Sequence, residues 1–253
     1  MRIAAAMPIL NEASTIGQLV TEVREHVDTV LVVDDGSSDD GGKVAERSGA
    51  EVIRHPANRG KGSSLASALQ WARARPEIGW LVLLDGDGQH DPSEITTLVE
   101  TTQREGLDIL VGSRFIGDNN APFYRVVGLH VLSATAELGS GIRLTDSQSG
   151  FRVLSRNAIE RLDLNERGFS VEAEMQFLAA RIPLRVGEAP ISIRYAGPAR
   201  RSPVVHGVSV LCRTLALTVR HRPLRLPMLL AMPVALWRLS RSQVASIEKR
   251  PIG

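Results

Sequence analysis

The sequence predicts an α/β protein, a mostly parallel sheet with helices on both faces. Three observations predict it. Short apolar runs alternate with helical patterns from the start to Gly112, and regular βα alternation builds parallel sheets covered on both sides. The 253 residues, 43% hydrophobic and 23% charged, suffice for one large core. Polar clusters follow the strand candidates, where open α/β sheets hold their ligands.

The strand candidates are Ile3–Met7, Thr29–Val33, Glu51–His55, Trp80–Leu84 and Asp108–Gly112. Between them lie helix candidates at Thr15–His26, Asp40–Ser48, Ser63–Arg75 and Pro92–Arg104. Beyond Gly112 the rhythm changes. Gly117–Ala121 reads as a mobile loop and Tyr124–Leu138 as a helix. Asp146–Val153 reads as a turn feeding a short strand, Val171–Arg181 as a helix and Arg185–Tyr195 as a strand pair. There is no internal repeat or low-complexity tract.

Composition excludes several classes. Aromatic residues make up only 4% of the chain, too few for a platform that stacks single-stranded bases. The single cysteine, Cys212, leaves no internal disulfide or CxxC metal site and suits a reducing compartment. Met1–Pro8 lacks the basic and apolar regions of a signal peptide. A cytoplasmic location is expected.

The net charge of +2 hides an asymmetry. Arg194–Gly253 carries 11 Lys/Arg and one acid, Glu248, which leaves 19 Lys/Arg against 27 Asp/Glu before it. The tail is therefore +10 and the remainder −8. A basic tail fits an anionic partner or simply solubilises the chain. Val204, Val208, Leu211, Leu215 and Val219 share a helical face, and Leu226–Leu236 is apolar but broken by Pro227 and Pro233. Neither stretch reaches the roughly 18–20 apolar residues that span a bilayer. Flanked by arginines, they read as helices lying in a membrane interface or as ordinary packed amphipathic helices. Basic binding to nucleic acid has no recognisable motif behind it, and no nucleic-acid partner is expected.

Three polar runs carry chemistry. Asp85-Gly86-Asp87 follows an apolar strand, so two carboxylates can face a hard divalent cation shared with substrate phosphates. Such runs also occur in surface turns. Asp34-Asp35-Gly36-Ser37-Ser38 places an acid where a base or ribose can be bound, while Ser38 or Asp39 can cap the next helix. Asn58-Arg59-Gly60-Lys61-Gly62 opens a helix with glycines and two cations, which suits a phosphate. It lacks Walker A spacing, and the first strand lacks GxGxxG. Arg114, Arg125, Arg152, Arg194 and Arg200 are scattered. Singly each reads as a surface or ion-paired residue; together they offer charge for further anions.

Taken in order, Pro8-Ile-Leu-Asn11-Glu12, Asp34-Asp35-Gly36-Ser37, Asn58-x-Gly60-Lys61-Gly62, Asp85-Gly86-Asp87-Gly88-Gln89-His90 and Gly112-Ser113-Arg114-Phe115 resemble glycosyltransferase family 2, with its GT-A fold. Pro122-Phe-Tyr-Arg125, Asp146-x-x-Ser149-Gly150-Phe151-Arg152 and Arg194-x-x-Gly197-x-x-Arg200 narrow the similarity to polyprenol-phosphate (dolichol-phosphate) mannosyl- and glucosyltransferases. It covers residues 1–200, read as the catalytic domain. Residues 201–253 form a basic amphipathic segment.

The resemblance implies roles. Pro8, Leu10, Glu12, Val33 and Asp35 would hold the nucleoside. Asp85, Asp87 and Gln89 would bind Mg²⁺ or Mn²⁺ and the diphosphate, with the Gly86 backbone beside them. Arg114, Arg125, Arg194 and Arg200 would gather the diphosphate and the acceptor phosphate, and Asp146 with the Ser149–Arg152 turn would shape the sugar side. The implied activity is an inverting, metal-dependent hexosyl transfer from GDP-mannose or UDP-glucose to a polyprenyl phosphate, by an enzyme peripheral to the cytoplasmic face of the membrane. One alternative is a family 2 transferase with a hydroxyl acceptor, which needs a base near Asp146 or Glu172. The other is a nucleotide-sugar-binding subunit without turnover.

Overall fold

The computed structural model describes residues 1–116, 123–166, 168, 170–194, 212 and 214–216, and only the backbone of 123–130. The first half follows the expected alternation: β1 (Arg2–Ile9), α1 (Ala13–Val23), β2 (Thr29–Asp34), α2 (Gly41–Arg47), β3 (Glu51–Arg54), α3 (Lys61–Arg73), β4 (Ile78–Leu83), α4 (Ile95–Glu105) and β5 (Ile109–Ser113). Then come α5 (Phe123–Ser140), β6 (Arg152–Ser155), α6 (Arg156–Arg161), α7 (Val171–Arg181) and β7 (Val186–Pro190). The expected loop Gly117–Ala121 and the amphipathic stretches within 201–253 lie outside the described residues, apart from Cys212 and residues 214–216.

Seven strands form one sheet in the order β3-β2-β1-β4-β6-β5-β7. β1 runs parallel to β2 and β4, β2 to β3, and β5 to β7. β6 is antiparallel to both β4 and β5. The short strand expected after the Asp146–Val153 turn is β6, but regular alternation did not foretell its antiparallel insertion between β4 and β5, nor the short helix α6 behind it. Of the expected strand pair over Arg185–Tyr195, the described residues form one strand, β7, at the edge of the sheet; past it Ile191 N–H donates to the Ser113 carbonyl at 3.0 Å and Ile193 makes an isolated bridge to His90.

Successive side chains of a strand point to opposite faces, and the core divides accordingly. Ala4, Ala6, Leu31, Val33, Leu81 and Leu83 pack with α3, α6 and α7. Ala5, Met7, Val30, Val32, Val82 and Leu84 pack with α1 and α4. α1 buries Ile16, Leu19, Val20 and Val23, the one-sided stripe of a surface helix. Polar groups lock the ends of elements. Asp39 accepts N–H groups from Ala13 and Gly41, the first residues of α1 and α2, at 2.9 and 3.0 Å. Arg156 donates to the carbonyls of Ala72, Arg73 and Arg75 at the end of α3.

Because β1, β2, β4 and β5 share one direction, their carboxyl ends, and the start of antiparallel β6, meet at one edge of the sheet. Asp108 secures the opposite edge. Its buried carboxylate accepts the Arg185 N–H and the Asn157 amide, both at 2.9 Å, and the Ser155 hydroxyl at 3.2 Å. Burial opposes its charge, but these donors hold its pKa below the usual carboxylate value. Asp108→Ala is expected to cost about 2–4 kcal/mol in urea unfolding at neutral pH. A group with a depressed pKa stabilises above its unfolded pKa and loses that contribution as pH falls through the folded value. The gap between wild type and variant is therefore expected to shrink once pH drops below 3.8; a gap undiminished there excludes a charge-assisted origin.

Candidate active site

Asp85 and Asp87 stand just past β4, at the edge where the parallel strands end. Gly86 between them is buried against β1. A Cβ there would lie 2.5 Å from Ile9 Cγ2 and 2.9 Å from the Pro8 carbonyl oxygen, so only glycine lets this loop settle so close. His90 holds the loop from inside. It is 5% exposed, its ring centroid lies 5.1 Å from that of Phe151, and its Nδ1 accepts the Asp85 N–H at 3.3 Å. Burial, with Arg114 and Lys61 nearby, lowers its pKa to about 4 against the pull of Asp85 and Asp146. It is thus neutral at neutral pH and able to accept. The chain after β7 closes over the loop, with Arg194 N–H donating to the Gln89 carbonyl at 2.9 Å.

The carboxylates are not bare. Lys61 Nζ, at the start of α3, lies 2.5 Å from Asp85 Oδ1 and 2.7 Å from Glu172 Oε1 on α7. Burial opposes the Lys61 charge, yet the two carboxylates outweigh it and raise its pKa. Burial likewise opposes ionisation of Asp85, but Lys61, His90 and Arg114 bring its pKa down to about 2. Gly150, in the turn before β6, packs on this same carboxylate: a Cβ there would lie 2.6 Å from both Asp85 oxygens. Asp87 accepts the Gln89 N–H at 3.1 Å and its side-chain amide at 2.8 Å.

Beside this loop Arg114 and Asp146 form a two-pronged ion pair, Nε to Oδ2 at 2.6 Å and Nη2 to Oδ1 at 2.8 Å. Asp146 is fully buried. Glu188 on β7 holds the turn that carries it, accepting N–H groups from Thr145 at 2.8 Å and Asp146 at 3.0 Å. Arg152, read from sequence as a surface or ion-paired residue, is instead 2% exposed. It donates to the carbonyls of Ser147, Ser149 and Glu172 at 2.8–3.0 Å and so pins the 147–150 turn to α7.

On the other side of the edge, Asp35 accepts the N–H groups of Arg59 and Gly60 at 3.0 and 2.7 Å and sits 2.7 Å from His55 Nδ1. His55 Nε2 reaches Ser67 on α3 at 3.0 Å. Pro8, Leu10 and Glu12 are half-buried at the β1–α1 turn. Val33 has its side chain in the core, which leaves only its backbone to face a ligand. Arg194 departs from the expected cluster: its guanidinium binds Glu22 at 2.6 Å and Asp91 at 2.8 Å, facing α1. The Arg125 side chain and Arg200 lie outside the described residues. Sequence reasoning missed Lys61 as a partner of Asp85, and His55, His90 and Glu188 as anchors. Lys61 alone carried a signal, in the run opening α3, and it pointed to a phosphate rather than to two carboxylates.

Among the described residues no cluster of three or more Asp, Glu, His or Cys side chains is arranged to hold a metal ion. Two carboxylates and the Gln89 amide are what the loop offers. Mg²⁺ usually takes one or two carboxylates and completes its shell with water and substrate phosphates. The residues fit that mode of binding, with the substrate as part of the site, rather than an all-protein cage.

Comparison with known proteins shows the family and the fold. The family model described as glycosyl transferase family 2 matches residues 5–163. An uncharacterized protein of Methanocaldococcus jannaschii is 32% identical over 84% of this chain and 90% of its own. The UDP-N-acetylglucosamine–dolichyl-phosphate N-acetylglucosaminyltransferase of Methanococcus voltae is 29% identical over 83% of this chain and 94% of its own. The undecaprenyl-phosphate mannosyltransferase of Micrococcus luteus is 28% identical over 83% and 92%. The crystal structure of Mycobacterium tuberculosis glucosyl-3-phosphoglycerate synthase with Mn²⁺, UDP and phosphoglyceric acid shares the fold, with a TM-score of 0.68 at 22% identity over 87% of this chain and 78% of that one. The protein belongs to glycosyltransferase family 2 and is a glycosyltransferase of the GT-A fold.

Proposed function

We propose that this glycosyltransferase moves a hexose from a nucleoside diphosphate sugar, of GDP-mannose or UDP-glucose type, to a polyprenyl phosphate with inversion at C1. One observation carries the reading. Both carboxylates considered as a general base, Asp146 and Glu172, are tied to cations, Arg114 and Lys61. A hydroxyl acceptor needs such a base. A phosphate acceptor does not, because it is already an anionic nucleophile at neutral pH. The relatives that act on dolichyl and undecaprenyl phosphates support the same choice.

In this reading Pro8, Leu10, Glu12, the Val33 backbone and Asp35 hold the nucleoside. Asp85, Asp87 and Gln89 hold Mg²⁺ or Mn²⁺ against the diphosphate, with Gly86 letting the backbone approach. When bound, the cation neutralises charge developing on the departing diphosphate. Arg114, Arg125, Arg194 and Arg200 bring the acceptor phosphate within reach of C1 on the opposite face, overcoming the repulsion between two anions. Arg194 has to exchange Glu22 and Asp91 for a substrate oxygen. Exposed pairs of that kind contribute roughly 0–1 kcal/mol, so the exchange costs little. Asp146 fixes the Arg114 guanidinium.

Among the described residues no helix is long and apolar enough to cross a membrane. The basic segment 201–253 would rest on an anionic membrane surface, at the cytoplasmic face, where a lipid phosphate is presented.

Purified protein incubated with Mg²⁺, a panel of nucleotide sugars and a polyprenyl phosphate is expected to yield a glycolipid with inverted C1, seen by mass spectrometry and NMR. Transfer only to sugar, peptide or small-metabolite hydroxyls selects the competing acceptor class. Asp87→Ala is expected to lower kcat/KM by at least about a hundredfold; full activity of that variant in excess chelator refutes the metal role. Gly150→Ala, which crowds the Asp85 carboxylate, is expected to raise the Mn²⁺ concentration giving half-maximal rate while leaving the melting temperature within a few degrees. Arg125→Ala is expected to raise KM for the lipid more than for the nucleotide sugar, and equal losses count against its acceptor role.

A further inference from the structure

We infer that Lys61 is a resident cation that occupies the Asp85 carboxylate in the absence of a divalent ion and competes with that ion for it. The inference rests on the metal and diphosphate reading of the Asp85-Gly86-Asp87 loop. Lys61 is the first residue of α3, and only 13% of its side chain is exposed. Its ammonium sits between two carboxylates that come from different elements, Asp85 past β4 and Glu172 on α7. Glu172 is itself 3% exposed, and Lys61 is its ion-pair partner among the described residues. Without a cation between them, two like charges would be held together in a place of poor solvation, which is strongly unfavourable.

The position of the ammonium matters because Asp85 has few other oxygens to offer. Gly150 abuts both of them from one side, and Lys61 takes Oδ1 from another. A divalent ion reaching Asp85 must share the carboxylate with Lys61 or push it aside toward Glu172, which then keeps the ammonium neutralised. Glu172 is in this account a positioning residue that receives Lys61, not a base. The same exchange leaves the ammonium on Glu172 as the divalent ion takes Asp85. It links metal binding to the charge balance of the site without any conformational change of the fold.

The test measures Mn²⁺ affinity of the full chain by EPR of free Mn²⁺, with and without UDP, alongside thermal unfolding. Lys61→Met is expected to bind Mn²⁺ alone at least tenfold more tightly than wild type. Its melting temperature in chelator is expected to fall, and Mn²⁺ is expected to restore more of it than Mn²⁺ adds to the wild type. Glu172→Gln is expected to act with the opposite sign, weakening Mn²⁺ binding several-fold, because Lys61 then has only Asp85 to pair with. Unchanged or weaker Mn²⁺ binding in Lys61→Met overturns the inference. If that variant does not fold, Glu172→Gln decides alone, and an unchanged affinity overturns it. Failure of the wild type to bind Mn²⁺ even with UDP is a different outcome: it sinks the metal reading itself.

Discussion

Four carboxylates at the working edge of this sheet are matched to donors supplied by other segments of the chain, and the site depends on that matching. Asp85 takes Lys61, Asp146 takes Arg114, Asp35 takes two backbone N–H groups of the loop that opens α3, and Glu188 takes those of the Asp146 turn. A buried carboxylate without such partners would be expelled or protonated. Parallel strands impose the problem, since they bring their carboxyl ends and the polar residues beyond them together. Loops from α3, β6, α7 and β7 resolve it. Removing one partner therefore leaves an uncompensated charge, which costs more than the pair contributes.

The same matching explains why the turn before β6 is built as it is. Arg152 lies in a strand whose four residues are all buried. Its guanidinium is spent wholly on carbonyls of the 147–150 turn and of Glu172. The 147–150 turn presents Gly150 to Asp85. Arg152 thus couples the strand inserted between β4 and β5 to the Asp85-Gly86-Asp87 loop and to α7 at once. A parallel strand in that slot would carry its preceding turn at the other edge. The antiparallel insertion is what brings Gly150 and Phe151 to the carboxyl end of β4.

That distinction marks where sequence stops being informative. The β1–β5 alternation was legible because each strand is a short apolar run bounded by polar turns, and α7 was legible to the residue. The direction of β6 was not, because a strand of four residues carries no periodicity that tells parallel from antiparallel. Among site residues, Asp85 and Asp87 announce themselves by lying past an apolar strand. The partners of those residues do not. A Lys after glycines reads as a phosphate binder whether its ammonium meets phosphate or a distant Glu172, 111 positions along the chain. Arg152 reads as surface because arginine usually is, and its burial is compensated by three carbonyls and by the nearby carboxylates of Glu172, Asp146, Asp85 and Glu188. Arg194 was expected among the phosphate binders because its motif says so, yet in the structure its guanidinium answers to Glu22 and Asp91.

Charge segregation along the chain bears on the same chemistry. Residues 1–193 carry a net −8 and the remainder +10, so the part of the chain that builds the sheet is acidic although both proposed substrates are anions. A field of that sign repels them at long range. Attraction must then come from close by, where screening is weakest and pairs are partly buried. Lys61 and Arg114 are already neutralised by Glu172, Asp85 and Asp146, and so offer little net charge until an incoming anion or cation redistributes those pairs. In the proposed function such an edge would hold a phosphate by exchange rather than by standing charge, each substrate oxygen taking over a cation from a carboxylate and the carboxylate taking over a metal in return.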